Sequence, residues 1–169
     1  MTRDQRIVGT GAAAGILSMA LLVWLLSRAI KAPVIENAAE RLAFALPWAV
    51  MAAIPLFAML RAVGNARFLS EAIDPTLGKE DHKTLVNGRV ADNTLQQFTI
   101  FEVALLALSV TLPADRLSFV PATAITFVIA RIVFWVGYRI HPLYRAPGFS
   151  STAYLNLAMM AAVLWLWLR

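Results

Sequence analysis

The sequence predicts an all-α fold, an integral membrane helix bundle with five spans, and three observations carry that reading. Of its 169 residues 60% are hydrophobic and only 15% charged, a balance well to the apolar side of ordinary soluble domains. The mean hydropathy is +0.69. Apolar runs of membrane length recur five times, and most of the 15 Lys and Arg residues fall between them. The net charge of +5 therefore reflects membrane topology and not a nucleic-acid surface, because no dense basic arm with interleaved aromatics is present. With no cysteine and two isolated histidines, disulfides, a cysteine nucleophile and thiolate metal sites are excluded, and no metal site is expected.

The first span is expected over residues 7–27, which hold no charged side chain. At the rise of an α-helix this run reaches about 31 Å, enough for a hydrocarbon core of about 30 Å. Arg3 and Arg6 precede it as in a signal peptide, but the run is long for one and Ser27-Arg28-Ala29 is a poor cleavage site, so an uncleaved helix is expected. Gly11 and Gly15 form a small-xxx-small pair that allows close backbone approach. A polar connection over 28–41 leads to a second span over 42–60, where Pro47 and Pro55 predict kinks.

Residues 64–88 are the longest polar stretch and read as a membrane-edge loop, with a helical extension over 65–72. Gly78-Lys79 lacks the Ser or Thr and the first glycine of a phosphate loop, and His82 reads as a solvated loop residue. The third span is expected over 90–112. It opens on Arg89, Asn93, Gln96 and Gln97, which share one helical face at offsets 0, 4, 7 and 8. Polar groups entering a bilayer need protein, water or a ligand opposite them, so this face is the candidate site. Farther along, Glu102 lies well inside the membrane.

A turn over 113–116 leads to a fourth span over 117–140, carrying Arg131, Phe134, Trp135 and Tyr138 on one face. In an antiparallel pair Glu102 and Arg131 lie about one helical turn apart in depth, so they either pair or each find another neighbour. The stretch HPLYRAPG over 141–148 reads as a turn holding Arg145 at the membrane edge, and a fifth span follows over 149–168. Five spans place the N-terminus, the central loop and this turn on one side. That side holds nine Lys and Arg against five on the other, which favours it as cytoplasmic. Arg89 with Asn93, and Tyr138 with Arg145, meet at that boundary. Arginine binds carboxylates bidentately, and a guanidinium beside a thiol favours the thiolate, so the group suits a small acidic, amide-bearing ligand.

The segments RVADNTLQQF from Arg89 and ARIVFWVGYRIHPLYRAPGF from Ala130 resemble the membrane-associated proteins in eicosanoid and glutathione metabolism (the MAPEG family), which include the microsomal glutathione transferases. The resemblance covers roughly residues 42–169 and implies a four-helix protomer, with residues 1–41 forming an extra N-terminal transmembrane helix and its connection. It further implies a homotrimer with glutathione between neighbouring subunits, and a transferase or peroxidase acting on a lipophilic electrophile taken from the membrane lipids. Arg145 would stabilise the thiolate, and Arg89, Asn93, Gln96, Arg131 and Tyr138 would hold the cofactor. Two positions depart from the pattern: Gln96 stands for the family's glutamate, and Phe134 for a frequent tyrosine. The family also contains non-catalytic lipid-binding members, and a lipid-binding or scaffold role is the alternative.

Overall fold

In the computed structural model, which describes residues 1–31 and 33–169, the first helix starts under a reciprocal cap. The Thr2 hydroxyl accepts from the Gln5 N–H at 3.2 Å, and the Thr2 N–H donates to Gln5 Oε1 at 2.9 Å. Helix α1 (Arg3–Ala29) fully buries only Gly15 and Met19, and much of its apolar surface faces outward. Ala32, within the connection expected over 28–41, lies outside the described residues.

Helix α2 (Ala38–Phe68) begins under Asn37, whose side chain accepts from Ala39 and Glu40, and runs unbroken through Pro47 and Pro55. Its Ala45, Ala49 and Ala52 are buried on one stripe, which brings its backbone close to the rest of the bundle. Near its start Arg41 donates from Nη1 to the Leu112 carbonyl at 2.7 Å and from Nε to the Ile35 carbonyl at 2.6 Å. A guanidinium thereby satisfies a free carbonyl at the negative end of the next helix.

The central loop is shorter than the sequence suggests. Helix α2 continues eight residues past the expected end at Leu60, and α3 (His82–Thr111) starts eight residues before Val90. Hydropathy marks where a span leaves the membrane, whereas caps mark where a helix ends. Here Leu69 ends α2, and Ser70, Asp74 and Asp81 open the elements that follow, accepting backbone N–H bonds from Ala72, Thr76 and Thr84. Between them lie two short 3₁₀ turns, Glu71–Ile73 and Pro75–Leu77. Arg67 on α2 is tied to Glu80 at 2.6 Å, closing the loop on itself.

Leu112 adopts the extended conformation that a following proline requires, and this ends α3. A 3₁₀ turn, Ala114–Arg116, leads to α4 (Phe119–Ile140); a second, Pro142–Arg145, leads to α5 (Ala146–Trp167). All five helices are long and apolar enough to cross a membrane, and the chain is a multi-pass integral membrane protein. Its core lies between α2, α3, α4 and α5, centred on Phe101 stacked against Phe127 at 4.3 Å.

Helix α1 packs outside this core, on α5 and α4. A Cβ at Gly15 would lie 2.2 Å from the Pro147 carbonyl oxygen, so only glycine permits the crossing. The Ser151 hydroxyl sits at the same crossing, 2.8 Å from both the Gly15 and Pro147 carbonyls. The glycine pair at Gly11 and Gly15 thus forms a contact within the chain.

Candidate functional site

The polar face that opens α3 divides in two. Each step of four residues turns an α-helix about 40° beyond a full turn, so Asn93 and Gln97 are rotated progressively away from Arg89. Asn93 and Gln97 turn toward the neighbouring helices, while Arg89 and Gln96 stay on the exposed side. Asn93 Oδ1 accepts from Arg131 Nη1 on α4 at 3.2 Å. Gln97 accepts from Asn156 Nδ2 on α5, through its side-chain oxygen at 2.9 Å and its backbone carbonyl at 3.0 Å. One layer of amides therefore joins α3, α4 and α5.

Arg131 starts a column of charge and aromatic rings. It is fully buried, with its guanidinium 4.1 Å above the Phe134 ring. The Phe134 ring meets the Tyr138 ring edge-on at 5.9 Å, and the Arg145 guanidinium lies 5.2 Å from the Tyr138 ring. Cation–ring attraction of this kind orients a guanidinium without neutralising it. The turn that presents Arg145 is held from within. His141 Nδ1 accepts from the Leu143 N–H, Arg145 Nη1 donates to the Pro142 carbonyl, and the Tyr144 carbonyl sits where a Cβ on Gly137 would otherwise stand.

Glu102 and Arg131 do not pair. Among the described residues the two ion pairs are Arg67 with Glu80 and Lys79 with Glu71, both in the loop region. Arg131 Nε and Nη2 are buried without any hydrogen-bond partner, as is Asn156 Oδ1. Such atoms normally find a partner, so this layer retains unused donors and an unused acceptor.

Of the six residues singled out by sequence, the fold joins Arg131 to Asn93 and Tyr138 to Arg145. Arg89 and Gln96 are exposed, and among the described residues no hydrogen bond or ion pair links them to Tyr138 or Arg145 within the chain. Asp92, also exposed, completes their line at offsets 0, 3 and 7. Asp92 is marked in the sequence only by its position, three residues from Arg89 and four from Gln96. Two further amides stand outside the residues that the sequence singles out: Asn156, alone inside the fifth apolar run, and Asn87, whose Oδ1 accepts from Trp135 Nε1 at 3.0 Å. Beside Asn87 a polar groove of about 440 Å³ opens between α2, α3 and Arg139, lined also by Asn65, Asp81 and Lys83.

Two carboxylates of the adjoining loop have shifted protonation. The Thr76 hydroxyl and N–H hold Asp74 below the usual carboxylate range, and Thr84 does the same for Asp81. Both remain ionised caps at neutral pH.

Comparison with known proteins gives a family match and distant relatives. The MAPEG family model matches residues 45–165, from within α2 through most of α5, and leaves α1 outside. Transmembrane protein 79 of Mus musculus is 26% identical over 129 residues, which cover 76% of this chain and 33% of that protein. Transmembrane protein 79 of Bos taurus is 25% identical over 134 residues, covering 79% of this chain and again 33% of the relative. The chain spans about a third of the length of these relatives. No solved structure gives a significant match.

Proposed function

The chain belongs to the MAPEG family, and on that premise we propose that it is a membrane-embedded glutathione-dependent transferase or peroxidase acting on lipophilic electrophiles. The observation that carries this reading is the column from Arg131 through Phe134 and Tyr138 to Arg145, which ends in an exposed guanidinium at the membrane boundary. Arg89, exposed on the edge of α3, suits the carboxylates and amide carbonyls of the cofactor, while the buried Arg131 acts from inside by holding Asn93. Gln96 gives no charge for an ammonium, and Asp92 on the same line offers one.

Because Arg89, Asp92 and Gln96 face outward, the reading includes a homotrimer in which the α3 edge of one subunit meets the Tyr138–Arg145 end of the next. Glutathione would supply the thiol nucleophile. Arg145 would hold the thiol near its guanidinium and lower its pKa, raising the fraction present as thiolate. Arg89, Asn93 and Gln96 would fix the peptide, and Tyr138 would hold Arg145 in place from below. The electrophile would arrive from the lipid, and the excess of cations on the site side would place it in the cytoplasm.

The test is titration of the purified protein in detergent with glutathione while thiolate absorbance is followed, beside Arg145→Ala. Wild type is expected to bind and to develop the signal, and the variant to bind without it. No binding and no thiolate in wild type would overturn the proposal. Binding without conjugation of any of several electrophiles would favour the lipid-binding or scaffold reading.

A further inference from the structure

A second cavity lies at the opposite membrane boundary, far from Arg145, and α1 is one of its walls. It encloses about 670 Å³, within the range of about 300–1,000 Å³ usual for small-molecule sites. Its origin is legible in the residues along α1. The Gly15 crossing sets α1 against α5, and on the following turns of the same face Met19 and Val23 line the space between α1 and the α5 residues Leu155 and Met159. This wedge opens at the far boundary, beside the turn between α3 and α4. Met19 and Val23 on α1, Leu112 on α3, Phe119 on α4, and Leu155 and Met159 on α5 line its interior, which is largely apolar.

Its mouth is charged. Arg116, from the turn between α3 and α4, and Arg169, after α5, both line it, together with Asp115. Both guanidinium groups are exposed, and neither makes an ion pair among the described residues. Arg169 lies 4.6 Å over the ring of Trp165, another lining residue, which holds its charge at the rim. An apolar shaft at hydrocarbon depth under two guanidinium groups matches an acyl chain below a phosphodiester. Asp115 adds an acceptor for a hydroxyl on the head group.

We propose that this wedge is a binding site for one anionic membrane phospholipid, with an acyl chain between α1, α4 and α5 and its phosphate at Arg116 and Arg169. The site owes its outer wall to the helix that lies outside the family match, and it stands independently of any role for glutathione.

Native mass spectrometry on detergent-exchanged protein titrated with phosphatidylglycerol tests this. Wild type is expected to retain one molecule per chain, more strongly than it retains phosphatidylcholine. Ala158→Trp, which fills the cavity, abolishes retention, whereas Ala161→Trp on the outer face of the same helix leaves it intact. Arg116→Ala and Arg169→Ala each weaken binding about fivefold, the effect of one cation near an anionic lipid surface. Unchanged helical circular dichroism and elution keep a misfolded variant from counting as a result. Retention by Ala158→Trp equal to wild type, or equal retention of the two lipids together with no effect of the arginine variants, would overturn the proposal.

Discussion

Arg131 on α4 and Asn93 on α3 are locked to each other inside the bundle, the guanidinium giving one N–H to the amide oxygen at 3.2 Å and keeping two nitrogens unpartnered. A buried charge with one bond depends on that bond more than a surface charge would. Asn93→Ala is therefore expected to cost about 1.5–3 kcal/mol of stability. The double variant Asn93→Ala with Arg131→Met should recover part of that loss, because it removes the stranded charge as well. Unfolding in detergent measures both, and simple additivity of the two single changes would show that the pair is not coupled.

Gly15 and Gly64 offer opposite outcomes for one chemical change. At Gly15 the new methyl meets the Pro147 backbone, while at Gly64 nothing lies within 4 Å. Gly15→Ala should destabilise by about 1–3 kcal/mol or more as α1 is pushed from α5. Gly64→Ala should stabilise by about 0.5–1 kcal/mol, because alanine suits a helix interior better. Thermal unfolding of the two variants side by side checks the sign of each.

If Asp92 serves in place of the family's glutamate, the two positions should trade. Gln96→Glu is expected to raise glutathione affinity on the order of tenfold and Asp92→Asn to lower it by a similar factor, each changing one charged hydrogen bond. Calorimetric titration of wild type and both variants reads this directly. An unchanged affinity in Asp92→Asn would remove that residue from the site.

The loop between α2 and α3 should open in acid. Asp74 and Asp81 have folded pKa values below their unfolded ones, so the unfolded loop takes up protons first. Their caps contribute fully above the ordinary carboxylate range and are lost as pH falls through the depressed values. Protection of the Thr76 and Thr84 amides, taken relative to the intrinsic exchange rate at each pH, should fall as the pH is lowered below about 4, the ordinary carboxylate value. Asp81→Asn keeps a good cap and should flatten the response at Thr84. Protection at Thr84 that stays constant with pH in wild type would contradict this.

Five spans were legible because a run of some twenty apolar residues reports on the bilayer alone, whatever it packs against. The facing ends of α2 and α3 were not, since both continue as helix beyond the apolar run, α2 to its C-cap Leu69 and α3 from its N-cap Asp81. The candidate residues were legible as a set and not as an arrangement. Helical offsets put Arg89, Asn93, Gln96 and Gln97 on one broad face, but the rotation that sends Asn93 and Gln97 inward depends on where Arg131 and Asn156 stand on other helices. The same missing rotation left Glu102 and Arg131 as an open pairing, which Asn93 decides by reaching the guanidinium instead.

The hydroxyl of Ser151 reaches the carbonyl of Gly15 across 136 positions of sequence. Of the five helices α1 is made before the others, and the α5 surface it docks on is made after them. Until α5 inserts, the N-terminal helix has only lipid against its Gly15 face, and closing so distant a contact is intrinsically slow. Any quality control that removes unassembled membrane helices therefore has its longest opportunity at α1. A chain interrupted after α4 would leave that helix with α4 alone and its Gly15 face uncovered.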